Sequence, residues 1–266
     1  PNQEVYRSGG RVKINNFGMR SDDITLKKPD GVHRVFMIGD STLYGGSYID
    51  QESLFSEGFK NHLNNNLDKI AGNPKQIELL SMGVNAWGPR HEMGYLRQYG
   101  FFGADHFIIV LPIGDLNRPK YGLSSLPYFH KKTAPKFAWE EIIHHLFWRY
   151  QQRIASNNGE VDDAFIQESI GIYKKMALMA ADTGARVSIM IIPTCKDVQN
   201  GNLGDENYKV FARNMEDIPV EIYSPLTLLS SLKNEPKLYH DCAHFDLLGH
   251  KLVAKDLANH FYSLGL

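Results

Sequence analysis

Cysteine is scarce in this chain: two residues in 266, Cys195 and Cys242. That is too few for a disulfide-built scaffold or a cysteine-based zinc site, and on usage alone two unpaired thiols are the plain expectation. Charge of one sign is missing as well. Twenty-nine basic residues stand against 30 acidic ones, giving a formal net charge of −1, so no global field draws the protein to nucleic acid or an anionic membrane. No apolar run approaches the roughly 20 residues that a transmembrane helix needs. Internal repeats and low-complexity tracts are also lacking. No signal-peptide pattern is visible, and because the chain opens at Pro1 a mature or trimmed fragment is expected.

What is present is an alternation. Short apolar runs rich in β-branched residues, "RVFMIGD" (34–40), "QIELLSMG" (76–83), "DHFIIVLP" (105–112), "RVSIMIIP" (186–193) and "PVEIYS" (219–224), predict five buried strands. Between and after them, 53–67, 90–100, 163–184 and 248–264 carry apolar residues at helical spacing. Strands apolar on both faces and alternating with helices predict an α/β fold: a three-layer α/β/α arrangement on a five-stranded parallel sheet. The expectation is one domain over 1–266. It carries an irregular N-terminal arm over 1–32, with a short strand at "RVKINN", and an aromatic-rich insertion over 117–160. So long a connection inside a compact domain reads as a lid or substrate wall, with a structural flap as the plainer reading.

In such a sheet, ligands bind where loops converge at the carboxyl ends of the strands. The first strand runs into "GDSTLYGG", setting Ser41 at a helix start where a hydroxyl is held out of the core near the positive end of the helix dipole. A helix N-cap is the bland alternative for that serine. Gly83 ends the second strand and permits close backbone approach to a ligand. The third strand ends in "LPIGDLNRP", bringing Asp115, Asn117 and Arg118 to the rim. Before the last helix comes "HDCAH", with Asp241 and His244 three apart in a turn-rich loop. Nucleophile, base, orienting acid and oxyanion donors are the parts needed for acyl transfer.

Taken together, "GDST" (39–42), Gly83 and "DCAH" (241–244), within "INNFGMRSDD", "HRVFMIGDSTLYGG" and "HFDLLGHKLVA", resemble the SGNH hydrolases, or GDSL-type esterases, in a bacterial exported branch. Thr42 stands where Leu is common. The resemblance implies the flavodoxin-like SGNH fold, Ser41 as nucleophile, His244 as base and Asp241 as orienting acid. It also implies an oxyanion hole from the backbone N–H groups of Ser41 and Gly83 plus an asparagine. That asparagine is out of place: Asp115 falls where the family's Asp belongs, and Gly114 takes the Asn position. Asn117 is the first candidate donor, Asn85 a second, and loss of the donor a third. The substrate-contacting candidates are Asp115, Arg118 and Asn85.

The activity so implied removes or transfers a short acyl group, acetyl above all, on a carbohydrate or other small ester. A polysaccharide O-acetyltransferase and a weakened glycan-binding module are the alternatives. Neither cofactor nor metal is expected, and neither nucleic acid nor a transmembrane segment figures in the reading. The implied location is periplasmic or extracellular. There a Cys195–Cys242 bridge would brace the catalytic loop, since both cysteines fall on the same rim. A metal reading through His240, His244 and His250 with Asp241 or Asp246 matches no familiar ligand spacing. For His144 and His145 surface or packing roles are expected, for Trp139, Phe147 and Trp148 packing rather than sugar stacking. Arg118 and Lys120 either steer an anionic substrate or are simply solvated.

Overall fold

Each of the five apolar runs becomes a strand of one parallel sheet. In chain order these are β3 (Val32–Gly39), β4 (Gln76–Gly83), β5 (His106–Pro112), β6 (Arg186–Ile192) and β7 (Glu221–Tyr223). The structure is a computed structural model that describes residues 1–117, 137, 139–140, 142–143, 145–147, 150, 163–204 and 206–265. Spatial order is β4-β3-β5-β6-β7, and every neighbouring pair is parallel. Numbered among themselves, the five strands run 2-1-3-4-5, the flavodoxin-like order.

Why the runs lack polar alternation is plain from the packing. Along β3, Phe36 and Ile38 enter one core while Val35 and Met37 enter the other. On β5, Phe107, Ile109 and Leu111 oppose Ile108 and Val110 in the same way. Successive side chains of a strand point to opposite faces, so a sheet covered on both sides must be apolar at every position.

The first face is covered by α3 (Pro89–Tyr99), α4 (Asp163–Ala181) and α6 (Glu206–Met215). The second is covered by α2 (Phe55–Asn64), α7 (Leu226–Ser231) and α8 (Leu247–Ser263). Two short helices start at the sheet's carboxyl rim, α1 (Ser41–Tyr44) after β3 and α5 (Cys195–Asn200) after β6. The four long helical patterns of the sequence match α2, α3, α4 and α8. The helices α5, α6 and α7 were not anticipated: the first and last have six residues each, too short to display a period, and α6 buries only Phe211 and Met215. No helix among the described residues is long and apolar enough to cross a membrane.

The N-terminal arm is more regular than expected. A hairpin pairs β1 (Gln3–Arg7) with β2 (Gly10–Ile14) through the two-residue turn Ser8–Gly9. Both turn residues have positive φ, 52° and 96°, as the tight turn matching strand twist demands. β1 is exposed along its whole length, so it carries no core-facing pattern by which its sequence could be recognised. Beyond the hairpin the arm runs beside the outer strand: the N–H of Arg20 donates to the Ser81 carbonyl at 2.9 Å, and Met19 and Ile24 are buried in the first core. That covers an edge otherwise open to pairing with another chain.

Much of the expected lid over 117–160 lies outside the described residues, as do Arg118, Lys120, His144 and Trp148. Trp139 and Phe147 are 57% and 58% exposed, so of the expected core or lid packing the core alternative does not hold for them.

Candidate active site

Ser41 is the first residue of α1, and the residue before it caps the helix. The Asp40 carboxylate accepts the Thr42 N–H and the Thr42 hydroxyl at Oδ1, both at 2.8 Å. The capping role is therefore filled by Asp40, and Thr42 is used to hold it. Ser41 is left with its hydroxyl outside the helix, 2.8 Å from Nε2 of His244 and 3.2 Å from Asp40 Oδ2. One proton serves both contacts, and the shorter one goes to the imidazole.

His244 comes from the other end of the chain, 203 residues away. Its Nδ1 lies 2.8 Å from Asp241 Oδ2. The other carboxylate oxygen, Oδ1, accepts the backbone N–H groups of Ala243 and His244 at 2.8 Å each. Partial burial pushes the Asp241 carboxyl upward, but those two N–H groups and the imidazole outweigh it, and the net position is below the ordinary carboxylate value. A carboxylate that stays ionised fixes the proton on Nδ1, so Nε2 faces Ser41 as an acceptor.

Five ties hold this loop. The N–H of His240 donates to the His244 carbonyl at 2.9 Å, closing the loop at its base. A disulfide joins Cys242, at its tip, to Cys195, the first residue of α5. Beside it the Cys195 N–H donates to the Cys242 carbonyl at 2.9 Å. The tyrosine hydroxyls on either side do the rest: Tyr239 donates to the Pro193 carbonyl at 2.7 Å and Tyr48 to the Phe245 carbonyl at 3.2 Å. Burial, with Asp241 and Asp246 nearby, pushes the Tyr48 phenol up to about 12, so it remains a donor.

A cleft of about 590 Å³ opens over Ser41, His244 and Asp241. That is the size range of small-ligand sites, roughly 300–1,000 Å³. Asn85 lines it, together with Arg7, Tyr48, Ala86 and His240. Ala86, in the loop after β4, is a non-glycine residue at φ 62°. Gly83 lies just below that loop. A Cβ there would stand 2.4 Å from the Tyr44 nitrogen, so only glycine lets β4 end against α1.

The remaining predicted residues that the structure describes, Asp115 and Asn117, are not gathered here. Asp115 is 1% exposed within the short turn Ile113–Asn117, and Asn117 is exposed at the end of that turn; neither lines the cleft. Sequence reasoning missed Arg7 and Tyr48, and named His240 only in the metal reading. The last two flank motifs that had been identified, whereas nothing in "VYRSGG" advertises its destination.

The histidines and acids of the metal reading have other work. His250 is buried and its Nδ1 accepts the Phe55 N–H at 3.0 Å. His240 stacks on Tyr48 with ring centroids 3.9 Å apart, and Asp246 caps α8 by accepting the Leu247 N–H.

No protein-family model matches the chain. No curated protein matches it either. Solved structures do. An acetyl-xylooligosaccharide esterase from Geobacillus stearothermophilus is 12% identical with a TM-score of 0.53, over 85% of this chain and 93% of its own. Three further structures of that esterase are catalytic mutants, with a serine, an aspartate or a histidine replaced by alanine. A two-domain esterase active on acetylated mannans is 11% identical with a TM-score of 0.56, over 88% of this chain and 49% of its own. An α/β-hydrolase enzyme from the metagenome of Lake Arreo, Spain, is 14% identical with a TM-score of 0.51, over 88% of this chain and 94% of its own. At these identities the likeness is one of fold: the chain has the α/β fold of these esterases.

Proposed function

We propose that this protein is a serine ester hydrolase of the SGNH type that removes short acyl groups, acetyl above all, from carbohydrate. The observation that carries the reading is the unbroken hydrogen-bonded chain from Ser41 Oγ through His244 to Asp241. The acetylated-glycan esterases that share the fold support the substrate class.

In the forward step Ser41 Oγ attacks the ester carbonyl while its proton passes to His244 Nε2. Asp241 stabilises the imidazolium that forms and keeps the ring oriented. The carbonyl oxygen, now an alkoxide, is met by the Ser41 N–H, left without an intrahelical partner at the helix start, and by the Gly83 N–H. Asn85 takes the place of the side-chain donor, since it lines the cleft and Asn117 does not. The imidazolium returns its proton to the departing sugar oxygen, leaving acyl-Ser41. Water, deprotonated by His244, then cleaves the acyl-serine bond, releasing the carboxylic acid and restoring the hydroxyl.

The disulfide beside the loop supports an oxidising compartment, periplasmic or extracellular. Ser41→Ala tests the core of the proposal. It should abolish hydrolysis of 4-nitrophenyl acetate and labelling by a fluorophosphonate while leaving the circular dichroism unchanged. Undiminished turnover in that variant would end the proposal, and adding a sugar acceptor to the wild type shows whether water or a hydroxyl receives the acyl group.

A further inference from the structure

One wall of the cleft is not needed for the chemistry above. Arg7 and Ser8, at the turn of the β1–β2 hairpin, line the same cleft as Ser41 and His244. The hairpin is braced there. A Cβ on Gly10 would lie 2.6 Å from the Ile49 carbonyl oxygen and 2.8 Å from that of Ser47, so its backbone rests directly on the loop that follows α1. The Arg11 N–H donates to Asp50 at 3.1 Å and the Lys13 N–H to Gln51 at 3.3 Å. Arg20, 1% exposed, clasps both parts, donating to the carbonyls of Tyr44, Gly46 and Ile49 on one side and of Arg11 on the other. Arg7 is thus carried by a fixed element.

Among the described residues nothing opposes its charge. The neighbouring cations of the hairpin are paired, Arg11 with Glu4 and Glu52, Lys13 with Asp22. No described carboxylate lies within ion-pair distance of Arg7. Asp241 is the one carboxylate among the described residues that line the cleft, and it is hydrogen-bonded to His244 and two backbone N–H groups. An exposed arginine lining a polar cleft offers a planar guanidinium fork that fits a carboxylate and gains little from a neutral sugar.

We infer that Arg7 selects an acylated glycan bearing carboxylates, a sugar acid, over a neutral one. This rests on the reading of Ser41 as the esterase nucleophile and extends it to the substrate's charge.

The test compares kcat/KM on an acetylated galacturonate oligosaccharide with that on an acetylated xylo-oligosaccharide, at low and high salt. The wild type should favour the acidic substrate by about tenfold or more, as expected for one hydrogen-bonded charge pair. Arg7→Gln should bring the ratio toward one, Arg7→Glu should invert it, and high salt should shrink the wild-type preference. Equal rates in the wild type, a preference for the neutral substrate, or a ratio unmoved by Arg7→Gln would overturn the inference. Fluorophosphonate labelling of Ser41 separates the two failures: a labelled enzyme without an acidic preference removes the role of Arg7 alone, whereas an unlabelled one removes the esterase reading itself.

Discussion

Cys242, between Asp241 and His244, is bonded to Cys195 at the head of α5, with their Cα atoms 4.8 Å apart and a sequence separation of 47. The acid–base loop is therefore fastened to the carboxyl end of the neighbouring strand β6 rather than resting on its own turn. A crosslink of this span contributes on the order of 2–4 kcal/mol. Cys242→Ser should lower Tm by about 5–15 °C. Because the loop carries His244, kcat should fall with it while KM changes little. Turnover and melting curves measured with and without reductant check this, and identical values under both conditions would exclude a bracing role.

Asn85 lines the cleft over Ser41 and Asn117 does not, which makes Asn85 the proposed oxyanion donor. Asn85→Ala should lower kcat by about 10²–10³ with little change in KM, the effect of losing one oxyanion donor. Asn117→Ala should stay within a few-fold of the wild type. Steady-state kinetics on one short-chain ester decides between them; the reverse pattern would return the role to Asn117.

Arg20 is a buried cation that donates to four backbone carbonyls and to Gln51 Oε1. Lysine cannot reproduce that fork, and Arg20→Met would leave those buried acceptors without a donor. Both variants should be destabilised, Arg20→Met by roughly 3 kcal/mol or more. Denaturant titrations measure this directly. A loss below about 0.5 kcal/mol, typical of a surface change, would show that the clasp is dispensable.

Acid should weaken the fold before it affects the Asp241 carboxylate. Burial, followed by the neighbouring cations, pushes His106 and His250 down to about 3 from an ordinary 6.5. In that interval the unfolded chain takes up protons that the folded one refuses, so stability falls as pH drops from about 6.5 toward 3. Asp241 acts in the same direction at lower pH, where its depressed carboxyl finally protonates. Replacing His250 with Gln should flatten the slope of Tm against pH between 6.5 and 4, whatever it does to Tm itself. An unchanged slope would mean that this imidazole does not set the acid limit.

The sequence by itself determined the layers. Strand and helix positions followed from period and from apolar continuity, because a sheet sandwiched between helices leaves no polar face to confuse the pattern. It also set Ser41 and the Asp241–His244 pair at strand ends, and the resemblance of "GDST" and "DCAH" to the SGNH hydrolases implied that they meet across 203 residues. Short or exposed elements were not legible. The hairpin strand β1 buries nothing, and α5 and α7 are too brief to show a period.

Only the tertiary structure decided what surrounds Ser41, His244 and Asp241. That Asp40 rather than Ser41 caps α1, that Asn85 and not Asn117 reaches the cleft, that the cysteines pair and that Arg7 arrives from the far N-terminus are all contacts between segments distant in the chain. Such contacts depend on where the sheet puts each strand end, and a linear pattern of hydrophobicity specifies the order of the strands without specifying which loops then face one another.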